Sequence, residues 1–410
     1  MALPDVAVTI GTGGLGRRKP SLDYVCGLVT TGVAAGDLEL NTSYRLNALS
    51  DLEALGIDAA YDTDNELLVY HQVKRFFQRN PNGELWLRVA AQTVTLSQLL
   101  DPTATHAKSL LTDAGGRIRR LGATRNPASG YTPTLTTGLD ANVLTAIAKA
   151  KLLIDEEATR HFNLGCILVE GRSYNGAVAS AADLRALASD GVGVVILQDL
   201  DVVTAAGYTE CEGYAEVGAV LGDRSRAAVN VDTMWVEKFN LQDIPNAALI
   251  NPGLSSNLAI NTYTDANLGV LHDKGYIFGR TYPGVAGVYL NGNPACAAVD
   301  SDFAWLNDTE VIAKAARLVY ARLLPKLGSP VTVDSTTGKL EAGFVAYMER
   351  EGHQALQEME QALEISGKDV FVDPDQNVLS TSTVAVKFSV VPTGTARSIE
   401  ATISFTNPFV

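Results

Sequence analysis

Hydrophobic and polar positions change period several times along the chain. Val6, Val8 and Ile10 alternate with smaller or polar neighbours, which predicts one short strand. It has no neighbouring strand in sequence, so it must pair with something distant or with another molecule. Gly11, Gly13, Gly14 and Gly16 follow, then Arg17-Arg18-Lys19-Pro20. Residues 43 to 100 read as helix, helix, strand and short helix. Ser50 and Glu53 have the spacing of a capping box ahead of Leu55. The run 65–79 (NELLVYHQVKRFFQR) carries apolar positions at helical spacing. Asn80-Pro81-Asn82-Gly83 ends that run and turns it into a strand over 84–91 (ELWLRVAA). A further strand is expected from Arg117 to Ala123. The polar Pro/Gly/Thr stretch 124–138 reads as an internal linker.

From residue 139 the order becomes αβαβα. Helices are expected over 139–160, 181–189 and 212–221, with apolar strands at 165–170 (GCILVE) and 192–198 (VGVVILQ). Continuous apolar strands suit a sheet covered on both faces, and their alternation with helices argues for mostly parallel pairing. Residues 275–291 read as two strands around Pro283-Gly284. Two long helices follow, 308–324 with a stripe of Ile312, Ala315, Val319 and Leu323, and 340–365 with Phe344, Met348, Ala355, Met359 and Leu363.

The strictest alternation lies at the C-terminus. Val384, Val386, Phe388 and Val390 alternate with Thr383, Ala385, Lys387 and Ser389. After Pro392-Thr393-Gly394-Thr395, Ile399, Ala401, Ile403 and Phe405 alternate with polar residues. This predicts a β-hairpin with one apolar face. Two strands alone are marginal in water, and an open edge is a template for further strands.

The resulting fold class is mixed α/β. A helix-covered, largely parallel central sheet is expected, with a small N-terminal α+β insertion and extended N- and C-terminal β arms. The expected divisions are an arm and glycine hinge at 1–20, an α+β domain at 21–138, an α/β core with two long helices at 139–380, and a C-terminal arm at 381–410.

Composition narrows the function. Hydrophobic residues make up 46% and charged residues 19%, enough apolar material for a sizeable core. The formal charge is −14, from 32 basic and 46 acidic side chains, which argues against nucleic-acid binding. No apolar run reaches the length of a membrane span, and the N-terminus lacks a basic, then apolar, secretory pattern. Synthesis and folding in a cytoplasm are therefore expected. Cys26, Cys166, Cys211 and Cys296 form no CxxC pair and read as small buried residues, and the five histidines form no metal-ligating pair.

Candidate chemistry is sparse. GTGGLG matches GxGxxG after a predicted strand, so a soluble enzyme holding a dinucleotide there is the alternative reading. Pro20 would break the helix that such a cradle needs, which favours a hinge. No Walker-type GxxxxGK[ST] and no GxSxG elbow occurs. Asp199 and Asp201 follow an apolar strand but have no His or Lys beside them in sequence, so they read as a solvated loop. No catalytic, cofactor-binding or metal-ligating residue is assigned. Residues 339–375 hold nine acidic and three basic side chains, while 108–125 hold five basic and one acidic. Such patches could meet across copies of the chain, setting register.

The arrangement resembles the contractile tail sheath proteins of phages and phage-tail-like injection particles. The resemblance is carried by NALSDLEALGI with NELLVYHQVKRFFQRNPNGELWLRVAA, by EVGAVLGDRSRAAVNVDTMWVEKF, and by the stretch from GYIFGRTYPGVAGVYLNG to VAVKFSVVPTGTARSIEATISF. It implies a subunit that polymerises into a helical tube around an inner tube and contracts, without cofactor or catalysis. Its partners would be sister copies, the inner tube, and baseplate and terminator proteins, with no nucleic acid and no membrane insertion. It would reside in a virion tail or a related particle assembled in the host cytoplasm. The matching inter-subunit positions are Val6, Val8 and Ile10 at one end and Val384, Val386, Phe388, Val390, Ile399, Ala401, Ile403 and Phe405 at the other. Gly11, Gly13, Gly14 and Gly16 would be the hinge, and Glu349 and Glu358 a candidate contact with the inner tube.

Overall fold

The computed structural model describes residues 22–202, 211–243 and 249–406. The expected strand Val6, Val8, Ile10 and the hinge Gly11, Gly13, Gly14 and Gly16 lie outside them.

A seven-stranded sheet forms the centre. Its strands are β1 (Val25–Gly32), β2 (Ser43–Leu46), β3 (Glu84–Ala91), β4 (Arg120–Ala123), β5 (Cys166–Glu170), β6 (Val192–Val195) and β7 (Tyr276–Ile277). They lie in the order β7-β6-β5-β4-β1-β3-β2. Every pairing is parallel except β2 with β3. The parallel strands are apolar in both phases of their pleat, and each phase enters a different core. Val25 and Val29, Ile167 and Val169, and Val192 and Val194 face one layer of apolar residues. Cys26 and Leu28, Cys166 and Leu168, and Val195 face the other. This double coverage is what a continuous apolar strand encodes.

The expected division at residue 138 runs through this sheet, because β4 pairs β1 on one side and β5 on the other. Nor is 124–138 a linker at its start. Thr124, Arg125 and Asn126 are buried. Asn126 donates to Thr31 O at 2.7 Å and accepts from the Leu68 N–H at 3.0 Å, so it ties the end of β1 to the helix beyond Leu68.

The helices that matter most are α1 (Val69–Arg79), α2 (Ala141–Thr159), α3 (Val217–Arg226), α4 (Leu306–Leu323), α5 (Ala342–Ala355) and α6 (Gln357–Gln361). α1 and α3 cross tightly. A Cβ on Gly218 would sit 2.1 Å from the Gln72 carbonyl oxygen, and one on Gly222 would sit 2.8 Å from that of Phe76. Beside this approach Arg79 grips Asp223 with two buried hydrogen bonds, Nε to Oδ1 at 2.9 Å and Nη2 to Oδ2 at 3.1 Å.

Several local expectations shift. The helix Leu49–Ala54 is capped by Asp51, whose carboxylate accepts from the N–H groups of Asn47 and Ala48. Ser50 and Glu53 are no cap; Glu53 accepts from the Tyr70 hydroxyl. The expected helix 181–189 is only a 3-10 turn at Leu184–Leu187. The expected strand 192–198 splits at Ile196, and Leu197–Asp199 joins a separate antiparallel sheet with Pro252–Leu254. The expected helix 340–365 ends at Ala355, resumes as α6, and gives way to a strand after Leu363, whose φ is 58°. On α4 the buried stripe contains Val311 and Ala315, while Ile312 is 45% exposed.

All four cysteines are buried and none is in a disulfide. Among the described residues no helix is long and apolar enough to cross a membrane, and no cluster of three or more His, Cys, Asp or Glu could hold a metal.

Candidate assembly interface

The C-terminal quarter is built on α4, α5 and α6. Across them lies an antiparallel ribbon of β8 (Ile365–Phe371) and β9 (Lys387–Pro392). Val370 faces Phe388 and Lys368 faces Val390 in its register. The ribbon lies close on α5, where a Cβ on Gly352 would come within 2.6 Å of Val370 Cγ1.

The expected hairpin 383–405 is therefore corrected in its pairing. Its first strand pairs backwards with β8, because Leu363 reverses the chain and sets an extended segment beside it. Val384, Val386, Phe388 and Val390 do form one face, but it packs on the chain's own residues. Phe388 and Val390 lie against Leu356, Met359 and Ile365, and Val384 and Val386 against Leu340, Met348 and Val372. The second stripe has no such cover. Among the described residues, 398–406 join no strand, and Ile399 and Ile403 are 86% and 96% exposed and Phe405 fully so; Ala401 is exposed too. Neither strand of the ribbon has a second neighbour among the described residues.

An apolar groove of about 670 Å³ opens beside the ribbon, lined by Val319, Leu323, Leu327, Phe344, Val384 and Val386 among others. Leu327 is 85% exposed at its rim.

Buried charge as well as apolar packing joins this quarter to the body. Glu310 of α4 is buried between Arg120 of β4 (2.6 Å) and Arg224 of α3 (2.5 Å). Burial pushes its carboxyl up, yet the two guanidiniums outweigh that and hold it below its ordinary value. One turn on, Lys314 Nζ lies 2.6 Å from Asp23 and 2.7 Å from Glu364. Arg317 also reaches Asp23, at 3.3 Å. Asp23 stands at the N-terminal end of the described chain and Glu364 immediately before β8. Lys314 thus ties the N-terminal end of the described chain to the residue that precedes β8.

The remaining sequence candidates are scattered. Glu349 accepts from the Val372 N–H at 3.2 Å and so braces the ribbon, while Glu358 is exposed. The basic stretch 108–125 is largely spent inside the chain. Arg120 pairs with Glu310, Arg117 with Glu84 and Lys108 with Glu156, and Arg125 is buried over the Tyr131 ring. Asp199, expected in solvent, is fully buried; it accepts from Arg75 at 2.7 Å and from the N–H groups of Ile250 and Asn251. The GTGGLG string lies outside the described residues. The first strand of the sheet, β1, comes after it, and the segment following β1 (VAAGDLELN) has no such motif.

Sequence reasoning missed Glu310, Lys314 and Arg397. Arg397 pairs with Asp232 and lies 3.5 Å from the centre of the Trp305 ring. Their partners are 50 to 291 positions away, and nothing in the local pattern marks them.

Solved structures match this fold, a largely parallel sheet sealed on both sides with a two-stranded ribbon, along nearly the whole chain. The helical sheath of the anti-feeding prophage (AFP) in its contracted state gives a TM-score of 0.63 at 14% identity, covering 99% of this chain and 99% of that one. A chain of the AFP baseplate gives 0.60 at 13%, again over 99% of both. The contracted sheath complex of PVC, an extracellular contractile injection system, gives 0.55 at 12%, over 97% and 98%. The fold is thus that of the contractile tail sheath. The chain itself belongs to the DUF2586 family: the family's N-terminal domain matches residues 3–293 and its C-terminal domain residues 302–410. Among curated protein sequences no match is found.

Proposed function

We propose that this protein is a structural subunit of a contractile tail sheath, in a phage tail or a phage-tail-like injection particle. Many copies would wind into a helical tube around an inner tube, joined by strand exchange between neighbours. The observation that carries this reading is the tail 398–406, whose apolar stripe is uncovered among the described residues, beside a ribbon whose outer edges no other described strand fills. Strand addition would supply main-chain hydrogen bonds worth about 1 kcal/mol net apiece. Covering each large apolar side chain would add roughly 1.5–3 kcal/mol. Head-to-tail contacts of this kind do not close on themselves, so they generate a helical tube. The segment with Val6, Val8 and Ile10 would supply a further exchanged strand, and the glycines at 11, 13, 14 and 16 would let the body turn while that strand stays paired.

Contraction would be a relaxation of the tube into better contacts between bodies, driving the inner tube forward through a target envelope. It needs no catalytic group or cofactor, so the role is structural. Sister copies, an inner tube, and baseplate and terminator proteins would be its partners, and assembly would take place in a host cytoplasm. Glu358, exposed on α6, remains a candidate for meeting the inner tube.

The test is direct. Purified full-length protein should form tubes visible by negative-stain microscopy as concentration rises. Deleting residues 1–12, or ending the chain after Arg397, should abolish the tubes and leave the melting temperature of the body unchanged. A wild-type chain that stays monomeric at high concentration would overturn the reading.

A further inference from the structure

We propose that Arg397 is a clamp that keeps the root of the C-terminal arm on its own body, so that the segment given to another copy starts at Ser398. The inference deepens the assembly reading above and rests on it for what happens after Ser398.

Burial changes abruptly along the chain at this point. β9 ends at Pro392. The next residues join no sheet, yet Thr393, Thr395 and Arg397 are half-buried, whereas every residue from Ser398 to Thr406 is exposed. Two anchors account for the difference. At Thr393 the hydroxyl accepts from Asn230 Nδ2 at 2.9 Å and donates to the Glu364 carbonyl at 3.3 Å. At Arg397 the guanidinium pairs with Asp232 Oδ2, lies over the Trp305 ring and reaches Met234 Sδ at 3.8 Å.

Both receptors for Arg397 are fixed to the body. The Asp232 side chain is 2% exposed, and its other oxygen accepts from Asn293 Nδ2 at 2.9 Å and the Met234 N–H at 3.0 Å. Trp305 also lies under Arg185, which donates to the carbonyls of Ala295, Ala297 and Ala304. Among the described residues no other cation pairs with Asp232. Withdrawing the arm as far as Arg397 would leave a carboxylate buried without its counter-charge, which is strongly unfavourable. Withdrawing it only from Ser398 leaves nothing unpaired, and docking it elsewhere covers Ile399, Ile403 and Phe405. Arg397 is thus a positioning residue that sets where the exchanged strand begins.

The experiment is hydrogen–deuterium exchange on the full chain, as monomer and as tubes. In the monomer, amides 393–397 should exchange about tenfold more slowly than 398–406. Arg397→Ala should remove the difference over 395–397, while Thr393 keeps its own anchor. Arg397→Lys should restore part of it, since an ammonium can pair with Asp232 but cannot lie flat on Trp305. In tubes, 398–406 should gain protection while 393–397 keep what they had. Equal exchange across 393–406 in the wild-type monomer, or no effect of Arg397→Ala, overturns the clamp. Protection of 393–397 that first arises in tubes overturns it as well, because the root is then exchanged too. If no tubes form, the sheath reading fails by itself, and the monomer contrast still decides the clamp.

Discussion

The body and the C-terminal quarter solve the same problem in opposite ways. In the body, seven strands lie between two apolar layers, and the interior residues of β5 and β6 are wholly buried. In the C-terminal quarter, two strands rest on three helices through smaller clusters, and the best alternating stripe of the chain ends in solvent. Apolar patterning therefore marks what a chain must cover, without saying which molecule will cover it. Substitutions that remove a buried group should be felt in the single chain on the body side and only in the assembly on the tail side.

The joint between the regions should give the largest effect. Glu310→Ala leaves Arg120 and Arg224 facing each other without their shared carboxylate. A loss of about 3–5 kcal/mol in denaturant unfolding is expected; a loss under 1 kcal/mol would mean that the joint is not where the two regions are held together. Within the body, Leu168→Ala opens a cavity in a fully buried position and should cost about 2–5 kcal/mol. Gly218→Ala drives a methyl into the Gln72 carbonyl and should cost about 1–3 kcal/mol, read as a lower melting temperature. Ile403→Ser should stay within about 0.5 kcal/mol of the wild-type monomer. Its effect should show only in the concentration needed for tubes, raised about tenfold or more, the equivalent of about 1.4 kcal/mol. A tail substitution that destabilised the monomer would break the comparison.

The smallest effect is a pH term in the body. Lys149 donates to Asp101, and with Thr103 it holds that carboxyl down to about 2, from an ordinary 3.8. The folded chain binds this proton less readily than the unfolded one. The resulting stabilisation is complete above the unfolded value and is lost as pH falls from about 4 towards 2. Asp101→Asn should flatten the stability profile in that window, with its modest cost appearing at neutral pH, where the ion pair is fully formed, and vanishing near pH 2.

The sequence spoke clearly where structure is local. The strand ELWLRVAA is β3 residue for residue, and the helix from Ala141, the strand from Cys166 and both arms of the 279–290 hairpin are where the apolar spacing puts them. It was silent where the decisive partner is distant. ISGKDVF follows a helical stretch without a Gly or Pro break, so its role as partner of β9 depends on the left-handed turn at Leu363. The Arg-rich stretch reads as a surface patch because Arg120 meets its carboxylate 190 positions later. The same blindness hid Lys314 and Arg397. In the candidate interface, the tail stripe was visible as a stripe, but its cover and its point of departure are tertiary facts.

The burial of the thiols carries a consequence for how copies of this chain could be joined. Burial pushes Cys26 and Cys296 up to about 12 and Cys166 well above its ordinary value, so at neutral pH they carry almost no reactive thiolate. Even in air and peroxide, Cys26, Cys166 and Cys296 would not knit copies of this chain together through sulfur.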